Sequence, residues 1–312
     1  MVVDGVSFVK PRRIAPGDVV GVVAPSGVVE EARLAVGLRV LAGWGLRPRV
    51  GAAVLERRGY LAGSDAARLA DLGGMLADPA VRAIFCARGG YGSQRLVPSF
   101  DLDRLRADPK PIVGYSDVTA LLGAVAGRGV GVFHGPMVAA DMARGLSPRS
   151  ATALWAMLSD PGARLDAPVP TAVRPGSARG RLVGGCLSVF ASMIGTPWAM
   201  RTAGAILFLE DTHEWPYRLD RLLLQLRQSG AFAGVAGVVF GTMATCPGTH
   251  GLVALDVVRE AFAGAPFPVG FGLPAGHDPA ETNVENLTLP FGVMVGLDVE
   301  AGRLVALEPA VV

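Results

Sequence analysis

From its start to about residue 158 the chain alternates short β-branched runs with segments of helical period, a pattern that few folds accommodate. Strand-like runs occupy 18–24, 49–54, 81–87, 112–115 and 130–134, with helical stretches between them that include 33–41 and 65–76. Strands joined by helical crossovers pair in parallel, with right-handed connections and helices covering both faces. The expected class is α/β, with a flavodoxin-like, doubly wound parallel sheet over residues 1–158.

The stretch 160–177 carries four prolines and two glycines without a clear period, so 159–179 reads as a linker. Beyond it, 205–209, 235–240 and 268–272 are strand-like and 217–229 is helical. Leu219, Leu222, Leu223 and Leu226 recur at helical spacing and mark one buried stripe. The tail 286–312 alternates around glycines, so 180–312 is expected to be a smaller, sheet-rich domain. A chain of 312 residues, 51% of them hydrophobic and 18% charged, has enough apolar material for two cores.

Charge excludes some partners. The 29 basic and 27 acidic residues leave a net charge of +2 with no basic block, which argues against nucleic acid. The first ten residues lack the pattern of a secretory leader, and no 18-residue apolar run follows; no membrane association and a cytoplasmic location are expected. Cys86, Cys186 and Cys246 are far apart in sequence and read as buried, reduced thiols.

Chemistry-bearing residues gather where apolar runs end. Ile112-Val-Gly-Tyr runs into Ser116 and then an apolar helical pattern, as in a nucleophile elbow, where a tight strand-to-helix turn lifts a serine hydroxyl clear of the backbone. The same serine would also serve as a helix N-cap, and Val118 breaks the Gly-x-Ser-x-Gly form. Arg88-Gly-Gly-Tyr-Gly-Ser follows another apolar run, and its glycines can turn backbone amides toward a phosphate or a developing oxyanion, or merely make a turn. Phe208-Leu-Glu-Asp ends a third run in two carboxylates: Glu210 and Asp211 are candidates to orient a histidine, or to cap a turn. Of four histidines, His277 lies in a Gly-His-Asp-Pro loop suited to proton transfer, whereas His134 is expected to be partly buried and bonded to backbone. No HExxH spacing appears, which disfavours a zinc hydrolase.

Taken in order, Val23-Ala-Pro-Ser-Gly, Ala87-Arg-Gly-Gly-Tyr-Gly, Val113-Gly-Tyr-Ser-Asp-Val-Thr-Ala-Leu, Phe133-His-Gly-Pro-Met, Leu182-Val-Gly-Gly-Cys-Leu-Ser, Phe208-Leu-Glu-Asp, Tyr217-Arg-Leu-Asp-Arg and Gly276-His span nearly the whole chain. In these segments the chain resembles the serine L,D-carboxypeptidases, which include murein tetrapeptide carboxypeptidases and the microcin C self-immunity peptidase. The resemblance implies a catalytic triad of Ser116, Glu210 and His277, drawn from both domains, and an oxyanion hole formed by the amides of Gly89, Gly90 and Asp117. It implies no metal or other cofactor, a murein peptide substrate and a homodimer. Cys186 departs from the asparagine more usual after the Gly-Gly pair. Arg88 and Tyr91, beside the glycine loop, are candidates to bind substrate, Arg88 as a bidentate partner of a terminal carboxylate.

The implied reaction releases the terminal D-alanine from a cytoplasmic cell-wall tetrapeptide through an acyl-enzyme. Two other readings compete. One is a microcin-immunity-like peptidase acting on peptidyl-nucleotides, and the other is a non-catalytic module whose glycine loop holds an anion.

Overall fold

The computed structural model describes residues 8–312, so the first seven residues of the supposed leaderless start lie outside the described part. The first half is built from β1 (Val19–Val23), α1 (Glu31–Gly43), β2 (Arg47–Val50), α2 (Asp65–Ala77), β3 (Val81–Cys86), α3 (Leu102–Ala107), β4 (Ile112–Gly114), α4 (Thr119–Gly127), β5 (Val132–His134), α5 (Asp141–Arg144) and α6 (Pro148–Ser159). Its five strands are parallel in the order 2-1-3-4-5, the flavodoxin-like arrangement. Helix starts follow local chemistry: the Ser64 side chain accepts from the Ala67 amide, and Ser147 does the same for Ser150 with Pro148 at the first position of α6. The expected strand at 49–54 ends at Val50, because the Asp71 carboxylate takes the amides of Ala52 and Ala53 and folds the chain into a turn.

The second half contains β6 (Asp166–Pro168), β7 (Thr171–Arg174), β8 (Ser177–Cys186), α7 (Leu187–Met193), β9 (Ala205–Thr212), α8 (Pro216–Gln228), β10 (Gly237–Ala244), α9 (Ala254–Ala261), β11 (Val269–Phe271), β12 (Leu289–Phe291), β13 (Met294–Asp298) and β14 (Arg303–Ala306). Eight strands form its sheet in the order β6-β14-β13-β8-β9-β10-β11-β7, with β8 to β11 parallel. The proline-rich stretch at 160–177 thus contributes β6 and β7, the two edges of this sheet, where a missing amide costs no ladder bond. β12 leaves the second sheet altogether and pairs antiparallel with β5, with Leu289 opposite His134.

The two halves share a core. On β9, Ile206 and Phe208 join the apolar cluster of the first sheet, while Ala205, Leu207 and Leu209 join a second cluster with Leu219, Leu223 and Leu226 of α8. Leu222 is only partly buried. Alternation of side chains across a strand buried on both faces accounts for this division, and it decides below which carboxylate faces the serine.

Close backbone approach requires glycine at position 184, where φ is +137° and an added Cβ would lie 1.8 Å from the Phe208 carbonyl oxygen. Gly184→Ala should therefore push β8 from β9 and destabilise the protein by about 3 kcal/mol or more, from steric overlap and left-handed strain together. Urea denaturation measures this as a lowered midpoint; an unchanged midpoint would contradict the tight β8–β9 contact.

Candidate active site

Ser116 follows the end of β4 with one residue, Tyr115, between them, in a turn too sharp for a side chain to adopt at ease. Tyr115 is extended, Ser116 has φ +61°, and residues 116–118 make a single 3-10 turn into α4. A left-handed serine at a strand-to-helix corner is the elbow expected from the sequence, and such conformations persist only where surrounding structure enforces them. The serine oxygen does not cap α4; it lies 3.0 Å from His277 Nε2.

The chain of contacts continues to Glu210. His277 Nδ1 is 2.7 Å from Glu210 Oε2, and the His277 backbone amide donates to the same oxygen at 3.0 Å. A carboxylate only accepts, so Nδ1 carries the proton and Nε2 is left to accept from the serine hydroxyl. Gly276, at φ +110°, lets the backbone pass so close that a Cβ there would lie 2.5 Å from Glu210 Oε2. Asn286 Oδ1 accepts the Gly276 amide at 2.9 Å and fixes the approach.

Strand parity separates the paired carboxylates. Glu210 shares the face of Ile206 and Phe208, toward the first sheet, whereas Asp211 points the other way and accepts the Ser188 amide at 2.8 Å at the start of α7. Burial would push the Glu210 carboxyl up, but the charge of His277 and its hydrogen bonds hold it below its ordinary value. Burial works against His277 being charged, yet Glu210 raises the imidazole above its ordinary value. Asp211, lacking such a cation, is pushed up to about 6 by burial and by the charge of Glu210.

Gly89 packs against the elbow: a Cβ there would meet Ser116 Cβ at 2.8 Å, its Oγ at 2.9 Å and the Asp117 nitrogen at 3.4 Å. Gly90, at φ +111°, lies against Gly27, whose amide donates to the Gly89 carbonyl at 3.1 Å. The glycine loop and the Asp117 amide therefore meet beside the serine oxygen. The nearly buried Asp117 carboxylate ties this loop down, accepting from Ser26 Oγ at 2.6 Å and from the Ser93 amide at 2.8 Å. Sequence reasoning assigned Asp117 only its amide and gave Ser26 and Ser93 no role, although both stand in quoted motifs. Arg88 is half-buried, with one guanidinium nitrogen on the Val28 carbonyl at 2.8 Å. Tyr91 is exposed and meets the exposed Tyr60 edge-on, with ring centroids 5.6 Å apart.

Two expectations require correction. His134 is fully buried, and neither ring nitrogen has a hydrogen-bond partner among the described residues. It packs edge-on against Phe208 and near Tyr115 and Phe291, and burial lowers its pKa to about 4. Cys246 is only half-buried, unlike Cys86 and Cys186, although all three thiols are free. Among the described residues no helix is long and apolar enough to cross a membrane, and no cluster of three or more potential metal ligands forms.

Comparison with known proteins matches residues 20–135 to the LD-carboxypeptidase N-terminal domain and residues 179–297 to the LD-carboxypeptidase C-terminal domain. The chain is 45% identical to a putative carboxypeptidase of Streptomyces coelicolor over 97% of both chains. It is 35% identical to the murein tetrapeptide carboxypeptidase of Pseudomonas aeruginosa, over 88% of this chain and 91% of that one. Among solved structures, the muramoyltetrapeptide carboxypeptidase of Oxalobacter formigenes superposes with a TM-score of 0.82 at 29% identity, covering 92% of this chain and 97% of the other.

Proposed function

The chain belongs to the LD-carboxypeptidase family of serine carboxypeptidases, and from that premise we propose that it releases the terminal D-alanine from murein tetrapeptide in the cytoplasm, as a step of cell-wall recycling. The observation that carries this reading is the unbroken hydrogen-bonded chain Ser116–His277–Glu210, at 3.0 and 2.7 Å, around a serine in left-handed backbone. A relative named for the murein tetrapeptide supports the substrate class.

Ser116 Oγ attacks the carbonyl carbon of the diamino acid's L-centre while His277 Nε2 takes the hydroxyl proton, and Glu210 stabilises the imidazolium through Nδ1–H. The amides of Gly89, Gly90 and Asp117 receive the developing oxyanion; one such donor typically contributes about 2.7 to 4 kcal/mol. His277 then gives its proton to the departing D-alanine nitrogen. The C–N bond breaks, leaving an ester on Ser116, and a water deprotonated by His277 cleaves that ester to release the tripeptide and restore the serine. Arg88 is assigned to the terminal carboxylate of the substrate and Tyr91 to the peptide beside it.

Mass spectrometry of purified tetrapeptide incubated with the protein under chelator tests the proposal. Loss of one D-alanine is the expected result. An intact tetrapeptide, with turnover of a peptidyl-nucleotide instead, would transfer the assignment to the microcin-immunity type of substrate.

A further inference from the structure

His277 sits in a segment, 274–285, with no regular helix or strand to hold it. The Asp278 carboxylate rounds it into a loop by accepting the amides of Ala280 at 2.9 Å and Glu285 at 2.6 Å. Its far end is fixed by backbone: Val284 donates to the Gly145 carbonyl and Ser147 donates to the Val284 carbonyl, both at 2.8 Å. At His277 itself the second half of the chain holds the backbone, with Thr242 Oγ1 donating to the His277 carbonyl at 2.7 Å, and directly after it a side chain from the first half takes over. Arg144 Nη1 donates to the carbonyls of Asp278 at 2.7 Å and Ala280 at 2.8 Å.

The other arm of that guanidinium leads back to the serine. Arg144 Nη2 donates to Asp141 Oδ1 at 2.9 Å, and the fully buried Asp141 also accepts the Tyr115 hydroxyl at 2.9 Å and the Met137 amide at 2.9 Å. Tyr115 immediately precedes Ser116, and its ring meets the His277 imidazole edge-on at 5.0 Å. Polar contacts therefore run from the elbow through Tyr115, Asp141 and Arg144 to the two carbonyls beyond the histidine.

We propose that Arg144, oriented by Asp141, is a positioning residue that clasps the His277 loop to the serine elbow and thereby sets the His277–Ser116 distance. The inference rests on the serine-triad reading. A planar fork that serves three acceptors in fixed directions is a task for arginine, and a lysine ammonium at the same place is a single point charge on a flexible stem. Displacement of a catalytic group by about 1 Å costs on the order of 100-fold in rate, so the clasp needs to move the histidine only slightly to matter. Because the backbone ties at Val284 do not involve the side chain, an Arg144 variant keeps the loop attached.

The test measures the rate at which a fluorophosphonate labels Ser116, together with the melting temperature, in the wild type, Arg144→Ala, Arg144→Lys and Ser116→Ala proteins. Arg144→Ala is expected to label about 100-fold more slowly, to regain part of the rate when guanidinium is added at millimolar, non-denaturing concentration, and to leave Arg144→Lys between it and the wild type. The side chain is 22% exposed, which gives the added cation a path. Labelling of Arg144→Ala within twofold of the wild type would overturn the clasp. So would a slow rate that neither guanidinium nor lysine improves and that follows the loss of melting temperature, since that describes ordinary destabilisation. A wild type labelled no faster than Ser116→Ala would overturn the triad reading and the clasp with it.

Discussion

Ser116→Ala is expected to lower kcat for D-alanine release by about a million-fold, the scale found when the nucleophile of a serine protease is removed. Among the described residues, the one oxygen hydrogen-bonded to His277 Nε2 is Ser116 Oγ, at 3.0 Å, so on the proposed mechanism the variant is left with substrate binding and the oxyanion amides alone. Those still give a residual rate of about a thousand-fold over water. The fold should be unaffected, because alanine meets the same left-handed strain at φ +61° as serine and Ser116 caps nothing. Single-turnover release of D-alanine, paired with a denaturation midpoint, checks both halves of the expectation. A variant retaining a few per cent of activity would exclude Ser116 as the nucleophile.

Glu210→Gln should cost about ten-thousand-fold in kcat, as when the carboxylate of a serine-protease triad becomes an amide and the imidazole adopts the wrong tautomer. It should also move the acid limb of the pH profile. The base form of His277 is neutral, so kcat/KM rises as pH increases through the histidine's pKa, which Glu210 holds above the ordinary value of about 6.5. Removing the anion leaves burial as the dominant influence on the imidazole, and burial favours the neutral form. The residual activity of the variant should therefore persist to lower pH than that of the wild type. An acid limb that stays in place would mean that a group other than His277 titrates there.

How much of this could be read beforehand depended on whether the deciding contact was local. Ser116 was legible because an apolar run, a glycine and a helical pattern sit within a dozen residues of one another. Glu210 and Asp211 were found as a pair but not distinguished by pattern alone. β9 is apolar on both faces, so no polar alternation reveals which side is which; the family resemblance selected Glu210, and the faces taken by Phe208 and Leu209 give the physical reason. The strands at 166–168 and 171–174 escaped because they are short, proline-flanked edges whose partners, β14 and β11, lie about a hundred residues or more further on. Arg144 and Asp141 escaped for a related reason. A guanidinium that bonds two carbonyls leaves no trace in the identities of the residues it holds, since every residue offers the same carbonyl. His134 looked as if it should be bonded to backbone, yet its surroundings are aromatic, and the neutral ring is kept by packing.

The placement of β12 governs how this protein can be recombined. The strand that completes the first sheet is encoded after six of the eight strands of the second, and its ladder sets Leu289 against His134 and Phe291 against Val132. A chimera made with a relative by a single crossover near residue 160 would join one parent's Val132–His134 to the other's Leu289–Phe291 across a buried seam. Exchange of the first lobe between relatives therefore requires two further crossovers, one on each side of residues 289–291, so that the distant strand travels with the sheet it closes.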